Sequence, residues 1–379
     1  MKIVIAPDSF KGSMTAKEAS DAIAAGILSE LPQAQIVSVP MADGGEGTVQ
    51  SIVDAEDGTF FRSTVRGPLG AETEAVYGVV HKDTAIIEMA EASGLYLLAA
   101  PERNPLRTTT FGTGQLIIDA LNRGCRKFLL GIGGSATNDG GAGLAQALGF
   151  RLLDEAGEEI PPGGGGLTKL HRIDAAGADP RLRDAAFTVA CDVQNLLCGP
   201  CGASAVFGPQ KGATSEMVKV LDENLGHFAQ IIRRDLGKDV AEIPGAGASG
   251  GLGAGCLAFL DAELKSGVEI VIGATGLQEK MRGAALVFTG EGQCDAQTAD
   301  GKTAMGVAAL AKSLNIPVIL IAGSIGEGAE ALYPLGVSGI FSIAQGPVTL
   351  EEAMRGGAQL LEKTTARIVH LLRETDIIQ

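Results

Sequence analysis

Basic side chains are scarce here: 30 lysines and arginines face 45 aspartates and glutamates, a formal net charge of −15. Binding a polyanion by counterion release requires a basic surface, so neither nucleic acid nor an anionic membrane is an expected partner. Long apolar runs are lacking too. No stretch approaches the roughly 18 residues of a membrane span, and Ile3-Val4-Ile5-Ala6, stopped by Pro7-Asp8, is too short for the apolar part of a secretory signal. Cysteine is sparse. Cys125, Cys191, Cys198, Cys201, Cys256 and Cys294 are scattered, which argues against a disulfide framework and fits a reducing compartment. Cys198 and Cys201 form one C-x-x-C, but structural zinc needs two further ligands and no histidine lies close in sequence. His81, His171, His227 and His370 fall in no catalytic spacing and read as surface or core. A cytoplasmic protein is expected.

What the chain has in excess is glycine, 54 of 379 residues against only 15 prolines, with apolar runs between the glycines. These glycines read as turns within folded structure rather than as a linker. At roughly 150 residues per domain the length predicts two or three domains. Short β-branched runs, each followed by a glycine- or aspartate-bearing loop and then by helical periodicity, predict α/β units with parallel strands. Lys2 to Ala6 reads as a strand, and Thr15 with Glu18 as a capping box opening a helix through Leu28. Ile36 to Pro40 is a second strand; Ala285 to Thr289, Pro317 to Ala322 and Gly339 to Ile343 are three late ones. Two early and three late strands suit one discontinuous flavodoxin-like sheet built from residues 1–64 and 285–379. Residues 65–284 then form a second, inserted α/β domain, with the active site expected in the cleft between the two.

Several loops carry chemistry. Strand Lys127 to Leu130 runs into Gly131-Ile132-Gly133-Gly134-Ser135-Ala136-Thr137-Asn138-Asp139-Gly140-Gly141 and then a helix. Amides bared by glycine at a helix start attract phosphate. The same segment satisfies G-x-G-x-x-A, the dinucleotide pattern. Gly245 to Gly250 is a weaker match that close helix packing explains as well. Ala296 to Thr303 falls one glycine short of a P-loop, yet leaves Lys302 at a helix start as a phosphate-reaching lysine. Asp8 and Lys11, Asp43 and Glu46, and Glu291 and Asp295 follow three separate strands. Carboxylates and lysines delivered to one crevice edge suit Mg²⁺ and phosphoryl groups. Asp192, after the strand Thr188 to Ala190, and Lys211 add the same chemistry from the insert.

As a set these segments resemble the glycerate kinases that combine a flavodoxin-like domain with a second α/β domain. The matching stretches are Ala6 to Ser13, Ala42 to Thr48, Gly112-Thr113-Gly114, Gly131 to Gly141, Cys191-Asp192-Val193, Gly208 to Ala213, Gly245 to Gly253, and Thr289 to Gly292 with Asp295, Gln297, Thr298, Gly301 and Lys302. One departure stands out: the family usually reads Asp-Val-x-Asn-Pro-Leu, and here Leu196 occupies the proline position. The resemblance implies ATP-dependent phosphorylation of D-glycerate, with 2-phosphoglycerate favoured over 3-phosphoglycerate and Mg²⁺ as the nucleotide's partner.

On this reading the ATP phosphates lie on Gly133, Gly134, Ser135 and Asn138. Lys302 or Lys211 offsets the transferred charge. Asp8, Lys11 and Ser13 meet the substrate's carboxylate and hydroxyls at the helix start. Asp192 or Asp295 serves as base or metal ligand; Asp192 is favoured as base because its neighbour Asn195 can orient a substrate hydroxyl, and Asp295, with Glu291 and Asp43, as metal ligand. Two rival readings stay open: a nicotinamide-dependent dehydrogenase resting on Gly131 to Ala136, and a non-enzymatic small-molecule sensor. The adenine pocket and the oligomeric state are not legible.

Overall fold

A computed structural model describes residues 1–45, 47–299, 303–346 and 349–375. In chain order the strands are β1 (Lys2–Ile5), β2 (Gln35–Ser38), β3 (Thr59–Arg66), β4 (Glu72–Val80), β5 (Thr84–Glu88), β6 (Lys127–Gly131), β7 (Arg151–Leu153), β8 (Arg172–Asp174), β9 (Ala186–Ala190), β10 (Glu263–Lys265), β11 (Leu286–Cys294), β12 (Val318–Ile325) and β13 (Gly339–Ser342). The chain divides into two compact units, one of Met1–Asp43, Gln50–Asp57 and Val268–Gln379, the other of Gly44–Val49 and Gly58–Gly267.

The first unit is an all-parallel sheet in the order β13-β12-β11-β1-β2, the flavodoxin-like arrangement expected from its two early and three late strands. Helices cover parallel strands on both faces, so β1, β11 and β12 read as continuous apolar runs and their Ile3, Ile5, Phe288 and Ile321 are buried. The helix Ala16–Glu30 begins with the predicted capping box: Thr15 Oγ1 accepts from the Glu18 amide, and Glu18 Oε2 accepts from the Thr15 amide at 2.8 Å. Ile23 and Ile27 join the sheet core from this helix, as do Leu361 and Val369 from the helix Gly357–Glu374.

The second unit carries a mixed sheet, β10-β9-β6-β5-β4-β3, in which β4 runs antiparallel to both β3 and β5 and the other pairs are parallel. Its core joins Phe128, Leu130 and Val189 of the strands to Leu116 and Ile117 of the helix Phe111–Asn122. The expected boundaries at 64/65 and 284/285 therefore shift. Residues 59–64 pair with β4 and side with the insert. Residues 268–284 side with the first unit, where Lys280 Nζ bonds the Ala55 carbonyl and, at 2.7 Å, the Glu56 carboxylate. The strand ends shift as well. β11 continues through Gly290, Glu291 and Gly292, so Glu291 is a strand residue paired with Ala322 rather than a loop charge.

The two covering helices of the first unit meet at Gly26, where an added Cβ would lie 2.4 Å from the Glu362 carbonyl oxygen and 2.7 Å from Thr365 Cβ. Gly26→Ala should therefore destabilise the protein by about 1–3 kcal/mol, because overpacking against backbone outweighs the gain in helix propensity. A thermal melt checks this; an unchanged or raised Tm would mean the helices separate freely.

Candidate active site

The carboxyl ends of β1 and β11 flank the point where strand order reverses, the place where ligands bind in open parallel sheets. Here the Asp8 amide donates to the Gly290 carbonyl at 2.8 Å, which fixes the loop after β1 against β11. A cavity of about 440 Å³ opens beside it, lined by Asp8, Lys11, Ser13, Asp43, Glu291 and Gln293 among others. Five residues expected to serve the site thus share one pocket.

Asp8 is held on both oxygens. Oδ1 accepts from the Ser9 amide and Oδ2 from Thr303 Oγ1, each at 2.6 Å. Burial pushes its carboxyl above the usual range, the Thr303 bond opposes this, and the Asp43 charge adds to the rise. Thr303 gave no sign of this role in the sequence, since a helix-opening threonine reads as a cap. Lys11 Nζ lies 3.9 Å from the Asp43 carboxylate with 79% of its side chain exposed, so the ammonium stays available to an incoming anion. Ser13 Oγ donates to the Met354 carbonyl at 2.6 Å. At the start of the helix Ala16–Glu30 the capping box takes the Thr15 and Glu18 amides.

Asp295 lies outside the cavity lining, but its Oδ2 accepts from Gln293 Nε2 at 3.0 Å, and Gln293 does line it. Among the described residues no three His, Cys, Asp or Glu side chains are grouped to hold a metal ion. Asp43, Glu291 and Asp295 therefore form no ready-made cage. Paired carboxylates such as Asp8 and Asp43, whose charges oppose each other, fit a Mg²⁺ that arrives with substrate phosphates. Lys302 and Glu46 lie outside the described residues.

In the second unit the loop after β6 differs from a dinucleotide turn. Gly133 and Gly134 are exposed, and Gly134 has φ +72°, where a side chain would be strained. Ser135 and Asn138 are buried and tied inward. Lys211 Nζ donates to Ser135 Oγ at 2.8 Å and to the Thr137 carbonyl at 2.7 Å, and Asn138 Nδ2 donates to Ser204 Oγ at 3.0 Å. The short helix Ala142–Ala147 begins only after this loop, and its first amides are already taken: Ala142 donates to the Asp139 carbonyl at 2.9 Å, Gly143 to the Asp139 side chain at 3.2 Å and Leu144 to Thr110 Oγ1 at 2.9 Å. That buried carboxylate accepts from the Thr110 amide at 2.8 Å, from Thr110 Oγ1 at 3.0 Å, and from the Gly141 and Gly143 amides at 3.2 Å. A phosphate has no free helix start there, which also removes the physical basis of the dehydrogenase reading. The Gly245–Gly255 run is packing rather than a second phosphate loop. Gly250 (φ +69°) receives the Gly140 amide on its carbonyl at 3.0 Å, and a Cβ on it would meet the Thr137 carbonyl oxygen at 2.1 Å.

Lys211 is fully buried, and burial lowers its ammonium to about 7 although Asp139 pulls it back up. Its Nζ bonds tie Ser135 and Thr137 of the loop to the helical turn Pro209–Lys211. Asp192 is exposed, and its Oδ1 accepts from the Gly267 amide at 2.9 Å. Asn195, expected to orient a hydroxyl beside it, instead donates Nδ2 to the Cys201 carbonyl at 2.7 Å. The turn at Leu196 is braced by Gly247, whose amide donates to the Asn195 carbonyl at 2.9 Å and which leaves room for the Leu196 carbonyl where a Cβ would sit 2.2 Å away.

A family model described as "Glycerate kinase family" matches residues 3–373. The chain belongs to the glycerate kinase family. It is similar to the "Glycerate kinase" of Halalkalibacterium halodurans, at 56% identity over 97% of each chain. It is also similar to the "Glycerate 2-kinase" of Escherichia coli, at 52% identity over 94% of each. A crystal structure described as "putative glycerate kinase 2" from Salmonella typhimurium LT2 superposes with a TM-score of 0.92, 46% identity and coverage of 100% of both chains. Kinase chemistry thus replaces the dehydrogenase and sensor readings. No helix among the described residues is long and apolar enough to cross a membrane.

Below about pH 7 the folded chain carries a buried charge on Lys211; between there and the ordinary lysine value of 10.5 the unfolded chain binds more protons than the folded one. Stability contributed at this site therefore rises with pH across that window. The difference in unfolding free energy, wild type minus Lys211→Met, should climb from pH 7 to 10.5 in denaturant titrations. A flat difference would show that Lys211 titrates as it does in the unfolded chain.

Proposed function

We propose that the chain transfers the γ-phosphoryl group of ATP to D-glycerate, favouring the 2-hydroxyl, with Mg²⁺ as partner of the nucleotide. The observation that carries this reading is the cavity at the strand-order reversal. It combines an exposed ammonium, a half-buried carboxyl of raised pKa and two further carboxylates, groups suited to binding a small hydroxy acid. The 2-hydroxyl preference draws support from the name of the Escherichia coli relative.

In this reading Lys11 holds the glycerate carboxylate, Asp8 hydrogen-bonds a substrate hydroxyl, and Ser13 keeps the Met354 segment against the pocket. The exposed Gly133–Gly134 turn receives phosphate oxygens on its amides, where no side chain blocks approach. Lys211 keeps that turn in place by holding Ser135 and Thr137. Asp192 accepts the hydroxyl proton, and Lys302 meets the charge that spreads over the transferred group. Mg²⁺, when bound with ATP, neutralises phosphate charge, and Asp295, Glu291 and Asp43 are the carboxylates that would hold it.

Coupled ADP assays with D-glycerate, with and without Mg²⁺, test the reaction, and phosphorus NMR of the product identifies the hydroxyl. Lys11→Ala should raise KM for glycerate about tenfold, the size of one charge-assisted hydrogen bond, with KM for ATP unchanged. Equal effects on both substrates would remove Lys11 from the carboxylate. Asp295→Asn should be partly relieved by excess Mg²⁺. Asp192→Asn should stay slow at every Mg²⁺ concentration, with a flattened acidic limb in its pH profile. The opposite pattern would exchange the two roles.

A further inference from the structure

The second unit holds a cavity of about 420 Å³ that the phosphotransfer reading does not use. Its lining shares no residue with the pocket of Asp8 and Lys11, nor with the Gly133 to Asn138 loop. Its charge runs against the rest of the molecule. In a chain with a net charge of −15, Arg66, Arg107 and Arg151 face a single carboxylate, Glu159. That carboxylate is already engaged, since Arg151 Nε donates to Glu159 Oε1 at 3.2 Å. Among the described residues neither Arg66 nor Arg107 has a carboxylate within ion-pair distance.

The Arg66 side chain is set against the cavity wall. The Arg66 guanidinium lies 4.5 Å above the centre of the Phe111 ring, and the Arg66 amide donates to Gln115 Oε1 at 2.7 Å. The Thr109 amide donates to the Pro68 carbonyl at 2.9 Å, so the two loops carrying Arg66 and Arg107 are tied across the cavity wall. Phe111, Phe150 and Ile160 give the remaining surface an apolar character. Concave, mostly apolar walls with a few fixed polar groups are the form of a small-molecule site, and this volume falls within its usual range. Planar guanidinium groups pair with phosphate or carboxylate oxygens two at a time.

We propose that this cavity is a second ligand site that takes a small organic dianion, a phosphate monoester or a dicarboxylate, with its two charges on Arg66 and Arg107 and its carbon skeleton against Phe111 and Phe150.

Calorimetric titration of the full chain with phosphoenolpyruvate and, separately, with malate tests this. At least one probe should bind saturably in the millimolar range or tighter, and which of them binds distinguishes the phosphate from the dicarboxylate source. Arg107→Ala and Arg66→Ala should each weaken that binding about tenfold or more, the worth of one hydrogen bond to a charged group. Arg355→Ala, at an exposed helical ion pair elsewhere, should leave it unchanged. Thermal melts confirm that the variants fold, and both arginines are exposed, so the core is untouched. Absence of saturable binding of both probes would overturn the proposal, as would equal weakening by Arg355→Ala. Parallel loss of affinity for a non-hydrolysable ATP analogue in the two cavity variants would assign the pocket to the nucleotide and overturn a separate site.

Discussion

The buried carboxylate of Asp139 is the constraint around which the second unit is arranged. Burial pushes this carboxyl above the usual range, and the Thr110 amide, its hydroxyl and the amides of Gly143 and Gly141 oppose that rise by donating to it. Each donor comes with a structural obligation. Thr110 must open the helix Phe111–Asn122, Gly141 must adopt φ +83°, and the Ala142–Ala147 helix must start where it does. Lys211 enters the same buried region from 74 residues beyond Thr137 and pins the loop from below. What is left outside, Gly133 and Gly134, is the part that can receive a ligand.

The first unit reaches its chemistry by a different route. Its strands need no buried charge, because the parallel ladder satisfies the backbone and the apolar faces do the rest. Chemistry is confined to the strand ends. Asp8, tied to Gly290 through its amide and to Thr303 through its carboxyl, is oriented by backbone and helix together, while Lys11 and Ser13 follow within the same loop.

The strands of the first sheet, β6 and β9 of the second, the capping box at Thr15 and the gathering of Asp8, Lys11, Asp43 and Glu291 were legible because each is written in a local pattern: β-branched runs, a three-residue spacing, charges just past a strand. The roles of Asp139, Lys211 and Asn138 were not. Their partners lie 29, 76 and 66 residues away in sequence, and no periodicity announces a contact of that kind. The glycine pattern of residues 131–136 invites a phosphate at the helix start, and only the three-dimensional arrangement reveals that an internal carboxylate already fills it. The extension of β11 past Thr289 was hidden for a related reason. Glycines that read as a loop are there to let neighbouring backbones approach, as at Gly290, where a Cβ would fall 2.3 Å from the Ile321 carbonyl oxygen.

The register of the first sheet sets the order in which the chain can complete itself. Ile3 pairs with Leu286, so β1, an interior strand of that sheet, lacks one neighbour until more than two thirds of the polypeptide exists. A chain emerging from the ribosome carries β1 and β2 with an unpaired edge through the whole synthesis of the insert, whose eight described strands lie within residues 59–265 and pair only with each other. Closing so long a loop slows folding far more than it weakens the finished fold. The insert is therefore positioned to become native first. The early strands, meanwhile, are the segment most in need of protection from other chains, because an open strand edge is a template for aggregation.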